Sequence, residues 1–237
     1  MTQIKLDEIK KEELVDLLNK QVDLTISIDK KFDASLLETI NNSANSEKKI
    51  TLNIFLNENL PVELWVRISN IKRLLIHPSY KVQLENIDIL KGFNILESLE
   101  LTGDYTKKNQ SFKPIEHIES LIQFTFVKGL TNQYKFLNQQ EKLEKLYVGN
   151  IDLGLVIKKE QLHTLRVDNT LKSENLMSEK FPNLKNLHLH GCSRLTHHTF
   201  LTGLTKIECL NVSYNSHITE FPKMANPELI KTIEMFT

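Results

Sequence analysis

Apolar residues recur along this chain in a short fixed pattern. An apolar residue is followed by two others, an apolar residue, one other and a further apolar residue. Seven copies are present: Ile71–Leu74–Ile76, Leu96–Leu99–Leu101, Leu121–Phe124–Phe126, Leu143–Leu146–Val148, Leu162–Leu165–Val167, Leu184–Leu187–Leu189 and Ile207–Leu210–Val212. Their first residues are 25, 25, 22, 19, 22 and 23 positions apart. Two weaker copies precede them, with Ile26 and Ile28 in one and Leu52 and Ile54 in the other. The chain is therefore built from internal repeats.

The spacing predicts a strand at each copy of the pattern. Because alternate residues of a strand face opposite sides, the fourth and sixth positions of each repeat point the same way. Stacked repeats would bring these strands into one parallel sheet and bury a continuous apolar column. Some connecting segments (PVELWVRI, ENIDILKGF and KFLNQQEKL) have the pattern of helices. Helices are wider than strands, so the predicted α/β solenoid curves, with the sheet on its concave face and helices and irregular segments on its convex face.

The pattern resembles the strand signature of leucine-rich-repeat proteins over residues 49–222. The ninth position of that signature is usually Asn or Cys, whose side chain faces inward and bonds the turn backbone. Cys192 and Asn215 occupy it here, while Asn150 and Asn169 fall one place early. The resemblance thus implies irregular turns in the middle of the array.

Two segments resemble different subclasses of the family. GCSRLTHHTFLTGL is similar to the cysteine-containing subclass, which is common among ubiquitin-ligase substrate receptors. VSYNSHITEFP is similar to the more typical subclass, and the chain has no F-box. The resemblance therefore implies irregular repeats with one cysteine-containing-type repeat.

The two ends of the array need caps, since a solenoid otherwise exposes its core. Apolar residues between Ile4 and Leu18 follow a helical stripe, and Asp33 can begin a second helix. Asn226 followed by Pro227 predicts a C-terminal helix. The predicted organisation is capping helices and a first irregular repeat over 1–48, the repeat array over 49–222 and a C-terminal capping helix over 223–237. A partner-binding role for these end helices is the alternative.

Composition narrows the choice of partner. The 237 residues carry 30 basic and 30 acidic side chains, a net charge of +0 that disfavours nucleic acid and anionic membranes as partners. There is no signal-peptide core and no apolar run of about 20 residues. The two cysteines are too few for a disulfide scaffold. We expect a cytoplasmic monomer that binds another protein.

The strongest candidate site is the outward side of the middle strands. Tyr147, Arg166 and His188 occupy the fifth position of successive repeats and are predicted to form a row. Aromatic and arginine side chains are common interface anchors. Four further residues, Lys145, Asp168, His190 and Asn211, complete the predicted partner-binding set. The alternative is a solvated sheet surface without a partner.

The sequence gives little support for a metal site or for catalysis. His188, His190 and Asp168 are a weak candidate for a divalent-metal site, with a surface Asp–His pair as the alternative. Glycine-rich phosphate loops, GxSxG and HExxH motifs are missing, and Cys209 has no base assigned to it. We expect no catalytic residues, no metal and no cofactor. The sequence favours a non-catalytic protein-interaction module, and the alternative is a dedicated regulatory receptor or inhibitor, either a substrate adaptor or an immunity-type protein. An enzyme or a metal-binding protein is less favoured.

Overall fold

The computed structural model describes residues 2–20, 23–28, 33–44, 49–56, 65, 67–78, 87–102, 111–195, 198–215 and 222–236. The chain divides into two compact units, Met1–Leu121 and Ile122–Thr237.

The first unit contains a parallel sheet whose strands follow chain order. Its strands are β1 (Thr2–Lys5), β2 (Asp23–Ile28), β3 (Lys49–Leu56), β4 (Arg73–Pro78) and β5 (Ser98–Leu101). Helix α1 (Lys11–Lys20) connects β1 to β2, and α2 (Ala34–Ser43) follows β2. Two short 3-10 helices, Asp88–Gly92 and Lys113–His117, lie near β5.

The second unit repeats this arrangement with shorter connections. Its parallel strands are β6 (Gln123–Phe126), β7 (Lys145–Asp152), β8 (Thr164–Lys172), β9 (Asn186–His190), β10 (Cys209–Ser213) and β11 (Thr232–Phe236). Five 3-10 helices, Thr131–Gln139, Leu153–Leu155, Glu174–Leu176, Thr199–Gly203 and Pro227–Leu229, and one short α-helix, α3 (Met177–Lys180), connect them.

The fourth and sixth repeat positions form the core of each unit, as predicted. In the first unit, the successive Cα partners are Ile26, Leu52, Leu74 and Leu99. All four are fully buried. In the second unit the matching column is Phe124, Leu146, Leu165, Leu187 and Leu210. The two weaker repeats are in register as well, because Ile26 pairs with Leu52 and Ile28 with Ile54.

Two of the connecting segments with the pattern of helices contain 3-10 helices. ENIDILKGF contains the 3-10 helix Asp88–Gly92, and KFLNQQEKL overlaps the 3-10 helix Thr131–Gln139. Most of PVELWVRI lies outside the described residues. A 3-10 helix rises about 2.0 Å per residue against 1.5 Å for an α-helix, so it covers the distance back to the next strand with fewer residues. Periodicity alone does not distinguish these two helix types over so few residues.

The ends also depart from the predicted helices. Asp33 caps α2 as expected, since its Oδ1 accepts a hydrogen bond from the Ser35 amide at 2.8 Å. Residues Thr2–Lys5, however, form strand β1, and α1 begins only at Lys11. The expected C-terminal helix is replaced by the 3-10 helix Pro227–Leu229 and strand β11. The alternation of polar and apolar residues in TIEMF has the period of a strand, and the edge of β10 gives it a partner. Among the described residues, no helix is both long and apolar enough to cross a bilayer.

Candidate functional site

The outward face of the second unit carries one continuous row of fifth-position side chains. Each member is the Cα partner of the next: Thr125, Tyr147, Arg166, His188, Asn211 and Glu234. We call this the fifth-position row. Because neighbouring strands are about 4.8 Å apart, adjacent side chains from Tyr147 to Glu234 are in reach of one ligand surface, whereas Thr125 is buried. The structure thus brings Tyr147, Arg166 and His188 together as the sequence predicted, and their binding role stays a prediction.

Arg166 is held in place by a carboxylate on its own strand. Its Nε lies 2.7 Å from Asp168 Oδ1 and its Nη2 lies 3.3 Å from Asp168 Oδ2. The Arg166 side chain is 49% exposed, whereas that of Asp168 is 12% exposed. A guanidinium fixed in this two-pronged way loses less conformational freedom when it meets a partner than a free one would. Asp168 therefore positions Arg166.

Asp168 is the first residue of β8 beyond its pairing with β9, and its carboxylate bonds Arg166 on its own strand. The pairing of β8 with β9 runs from Thr164↔Asn186 to Val167↔Leu189 and ends before Asp168. On the other side of β8, the register with β7 shifts between Val148 and Asn150. This irregularity falls in the shortest repeat spacing of the array, 19 residues. The shift gives β8 one extra residue between Val167 and Thr170, and Asp168 lies in that irregular stretch.

The weak metal candidate is not assembled as a ligand group. Within the described parts of the chain, no three His, Cys, Asp or Glu side chains are placed to hold a metal ion together. The Asp168 carboxylate contacts Arg166, and His190 Nδ1 lies 2.9 Å from Ser213 Oγ.

His188 is the histidine of the fifth-position row and lies near its centre. Partial burial and the nearby Arg166 guanidinium lower the pKa of His188 below its usual value, and Glu234 and Asp168 act in the opposite direction. The imidazole is consequently neutral near pH 7 and offers one donor and one acceptor nitrogen.

Lys145 lies beside the row, and Asn211 is a member of it. Lys145 is the first residue of β7 and the third position of its repeat, and it is half-buried, with Gln123 and Thr164 as its Cα partners. Asn211 Nδ2 donates a hydrogen bond to Glu234 Oε2 on β11. Asn211 therefore binds its neighbour in the row through one of its amide N–H groups.

Tyr214 is a site residue that the sequence prediction missed. Its side chain is 64% exposed, and its ring packs edge-on against His190 with centroids 4.9 Å apart. Its backbone is left-handed, with φ of 55°, which is unusual for a bulky residue. The next residue, Asn215, stabilises this turn because its Nδ2 donates to the Leu189 and Ser213 carbonyl oxygens at 3.1 and 2.8 Å. The sequence signal that could have identified Tyr214 was its place directly before Asn215, an inward-facing ninth position.

The ninth positions behave as the resemblance implied. Cys192 and Asn215 are both buried, and Cys192 Sγ approaches the Val167 carbonyl oxygen at 3.6 Å. Burial, and then the Asp168 carboxylate, raise the pKa of the Cys192 thiol to about 12. Cys209 is half-buried, and both cysteines are free thiols.

Gly149 is required by a close backbone approach next to the row. A Cβ at this position would overlap the Val127 carbonyl oxygen. Glycine lets β7 pass this carbonyl directly after Tyr147 and Val148, at the register shift with β8. Gly149 is itself buried. It therefore allows the close backbone approach and adds no exposed surface beside the row.

The first unit has its own outward aromatic pair. Phe55 and His77 are Cα partners on β3 and β4, and their rings stack with centroids 4.9 Å apart and planes 17° apart. His77 Nδ1 lies 2.7 Å from Thr102 Oγ1, and burial lowers the pKa of His77.

Comparisons with known proteins bear on the fold. No protein-family model matches the chain, and no curated protein matches it. One solved structure of an internalin from Listeria monocytogenes is similar, with a TM-score of 0.61 and 18% identity, and covers 98% of this chain. The chain spans 66% of that internalin's length. A second internalin from the same organism aligns with 16% identity over 99% of this chain and 76% of its own, with a TM-score of 0.39. The first likeness and the parallel sheet confirm the predicted α/β leucine-rich-repeat fold.

Proposed function

We propose that this protein is a non-catalytic protein-binding module whose partner contacts the fifth-position row. The observation that carries the proposal is the alignment of Tyr147, Arg166 and His188 on adjacent strands, with Arg166 fixed by Asp168. Tyrosine and arginine dominate the binding energy of many interfaces when they are held rigidly.

The surroundings of the row add a second aromatic anchor. Tyr214 projects beside the row and is braced by His190, which Ser213 in turn contacts. Tyrosine supplies a large contact area at low entropic cost. The Arg166 charge is offset by Asp168, and the whole chain has a net charge of +0. This balance favours a protein partner over a nucleic acid or an anionic membrane.

The more specific function that we propose is that of a dedicated receptor or inhibitor of one partner. A fixed Arg166 and a braced Tyr214 support tight binding of a single surface better than weak binding of many. We propose the cytoplasm as its location, because both cysteines are free thiols, as is typical of reducing compartments.

The test is affinity capture from native lysate with matched baits. The wild type is compared with a triple variant, Tyr147→Ala, Arg166→Glu and His188→Ala, after both show the same circular dichroism and melting. A double variant at exposed apolar sites in the connecting segments, Leu155→Ala and Ile157→Ala, is the control. We expect a partner that the wild type and the control retain and that the triple variant loses by more than tenfold, about 1.4 kcal/mol or more. Equal retention by the triple variant would refute the row as the contact surface.

A further inference from the structure

The outward face around Arg166 offers hydrogen-bond donors that the protein itself does not use. Asp168 accepts bonds from Nε and Nη2 of the Arg166 guanidinium and makes none with Nη1. Among the described residues, the Tyr147 hydroxyl and the His188 imidazole also have no hydrogen-bond partner. These three side chains are on adjacent strands, β7, β8 and β9, and their donors are therefore available to one ligand group.

Lys145 adds a cation to these donors. It precedes Tyr147 by two residues on β7, so both side chains leave the same face of the sheet. Its Cα partner Thr164 lies two residues before Arg166, which separates the Cα atoms of Lys145 and Arg166 by about 8 Å, within reach of two long side chains. Within the described parts of the chain Lys145 forms no ion pair. We call Lys145, Tyr147, Arg166 and His188 the donor cluster.

The nearest carboxylates do not occupy the donor cluster. Asp168 is only 12% exposed, and both of its oxygens contact Arg166. Glu144 precedes Lys145, but its Oε2 lies 3.2 Å from Nε2 of His163 on the neighbouring strand side. The charge of Arg166 is thus offset by Asp168, and the Lys145 ammonium leaves the cluster with one uncompensated positive charge.

One positive charge and several donors match a carboxylate. An ionised carboxylate carries a single negative charge and about four acceptor sites, and its hydrogen bonds to cationic donors are short and strong. A phosphate group carries about −1.5 to −2 charges near pH 7 and would place excess negative charge beside Asp168. The donor cluster therefore fits the side chain of aspartate or glutamate better than a phosphorylated residue.

The other end of the fifth-position row has the opposite charge. Glu234 is exposed on β11, three strands from Arg166, which corresponds to about 14 Å at the usual strand spacing. Its carboxylate accepts a hydrogen bond from Asn211. Like charges repel, so Glu234 disfavours a partner carboxylate at that end and leaves the donor cluster as the place that receives it.

We propose that the donor cluster binds an aspartate or glutamate side chain of the protein partner. Arg166 Nη1 and Lys145 Nζ donate to the carboxylate, and the Tyr147 hydroxyl and a His188 N–H group complete its hydrogen bonds. This inference rests on the binding function proposed above for the fifth-position row, and it specifies the chemistry that the row recognises.

A phage-displayed library of random peptides, selected on the 237-residue protein, is the probe. Counter-selection on the variant Tyr147→Ala, Arg166→Gln and His188→Ala removes peptides that bind other surfaces. Glutamine is used at 166 because it adds no negative charge that would itself repel acidic peptides. The peptides that remain are expected to share an acidic residue. Each is then synthesised with that residue and with its amide, asparagine or glutamine, which keeps the shape and removes the charge.

Dissociation constants for the two peptide forms test where the acid binds. On the wild type, the amide form should have a Kd more than tenfold higher than the acid form, because charge-assisted hydrogen bonds are lost. On Lys145→Met, which removes the unpaired cation and keeps an unbranched side chain, this ratio should fall by at least about threefold. Lys172→Met is the matched control, since Lys172 is an exposed cation on β8 six residues beyond Arg166. It should leave the ratio unchanged.

The outcomes separate this inference from the function on which it rests. Row-dependent peptides that bind equally well as acid and amide, or that are anchored by lysine or arginine, would overturn the inference and leave the binding function intact. A ratio that Lys145→Met does not lower would overturn the donor cluster as the place where the acid binds. A library without any peptide that depends on the row would count against the proposed binding function, and this inference would fail with it.

Discussion

Asn215 is the side chain through which the turn after β10 can be tested most directly. Replacement by alanine removes two hydrogen bonds, from Nδ2 to the carbonyl oxygens of Leu189 and Ser213. The Ser213 oxygen keeps a second bond, since the Gly191 amide donates to it at 2.8 Å. The main cost is thus the loss of the bond to the Leu189 oxygen in a buried site. Part of it is offset because Asn215 Oδ1 is buried without a partner in the folded state.

These contacts set the size of the effect. Leaving a buried acceptor unpaired costs about 1–3 kcal/mol, so Asn215→Ala should destabilise the protein by about 2 kcal/mol. Two other asparagines serve as comparisons for this predicted loss of stability. Asn150 is half-buried and makes one bond, from Nδ2 to the Gly129 oxygen at 2.8 Å, so Asn150→Ala should cost about 1 kcal/mol. Asn169 is exposed, and Asn169→Ala should lie within about 0.5 kcal/mol of the wild type.

Thermal and urea unfolding of the three variants is the assay. For a chain of this length, about 2 kcal/mol corresponds to a fall in Tm of roughly 4–8 °C. The predicted order of stability is Asn169→Ala above Asn150→Ala above Asn215→Ala. If Asn215→Ala melted with Asn169→Ala, the inward-facing asparagine would not be holding the turn, and our account of how Tyr214 is presented would fail with it.

Two further predictions concern titratable groups. Cys192 should react with a thiol reagent at pH 8 far more slowly than the half-buried Cys209, because burial raises the pKa of Cys192 to about 12, and equal rates in the native protein would contradict this. Because burial and Arg166 lower the pKa of His188 in the folded state, the unfolded chain binds a proton more readily there. Stability from this site is complete above a pH of about 6.5 and is lost as the pH falls, so His188→Gln should flatten the acid side of a plot of Tm against pH, and an unchanged plot would refute it.

The repeat pattern carried enough information to predict the core and the row. The fourth and sixth positions are read directly from Leu, Ile, Val and Phe spacing, and their burial follows from stacking. The alignment of Tyr147, Arg166 and His188 follows from the same register. An error of one residue in the predicted register would have exchanged the inward and outward positions of every strand. The apolar residues on both sides of each outward residue fixed the register and prevented that error.

Local irregularity limited the prediction elsewhere. The repeat spacing did not predict that Asp168 would bond Arg166, because the hydrophobic pattern does not show the register shift of β7 and β8 beside it. At the C-terminus, Asn226–Pro227 is a good helix start, but it gave a 3-10 helix of three residues before the free edge of β10 recruited β11. Tertiary pairing overrode a local signal in that case. Tyr214 was missed because its left-handed backbone depends on Asn215 and is not encoded by tyrosine itself.

The close approach at Gly149 has a consequence for how this array can vary in length. Most repeats here are similar in register, so an evolutionary duplication or an engineered insertion of a whole repeat would find matching strands on both sides. Strands β6, β7 and β8 are different, because Gly149 on β7 accommodates the Val127 carbonyl oxygen after β6, and the register of β7 with β8 shifts beside it. A cut between β6 and β7 would separate Gly149 from the carbonyl it accommodates, and a cut between β7 and β8 would fall at the shifted register. We therefore expect the 123–172 segment to be inherited as a single block, with variation in repeat number confined to the segments before and after it.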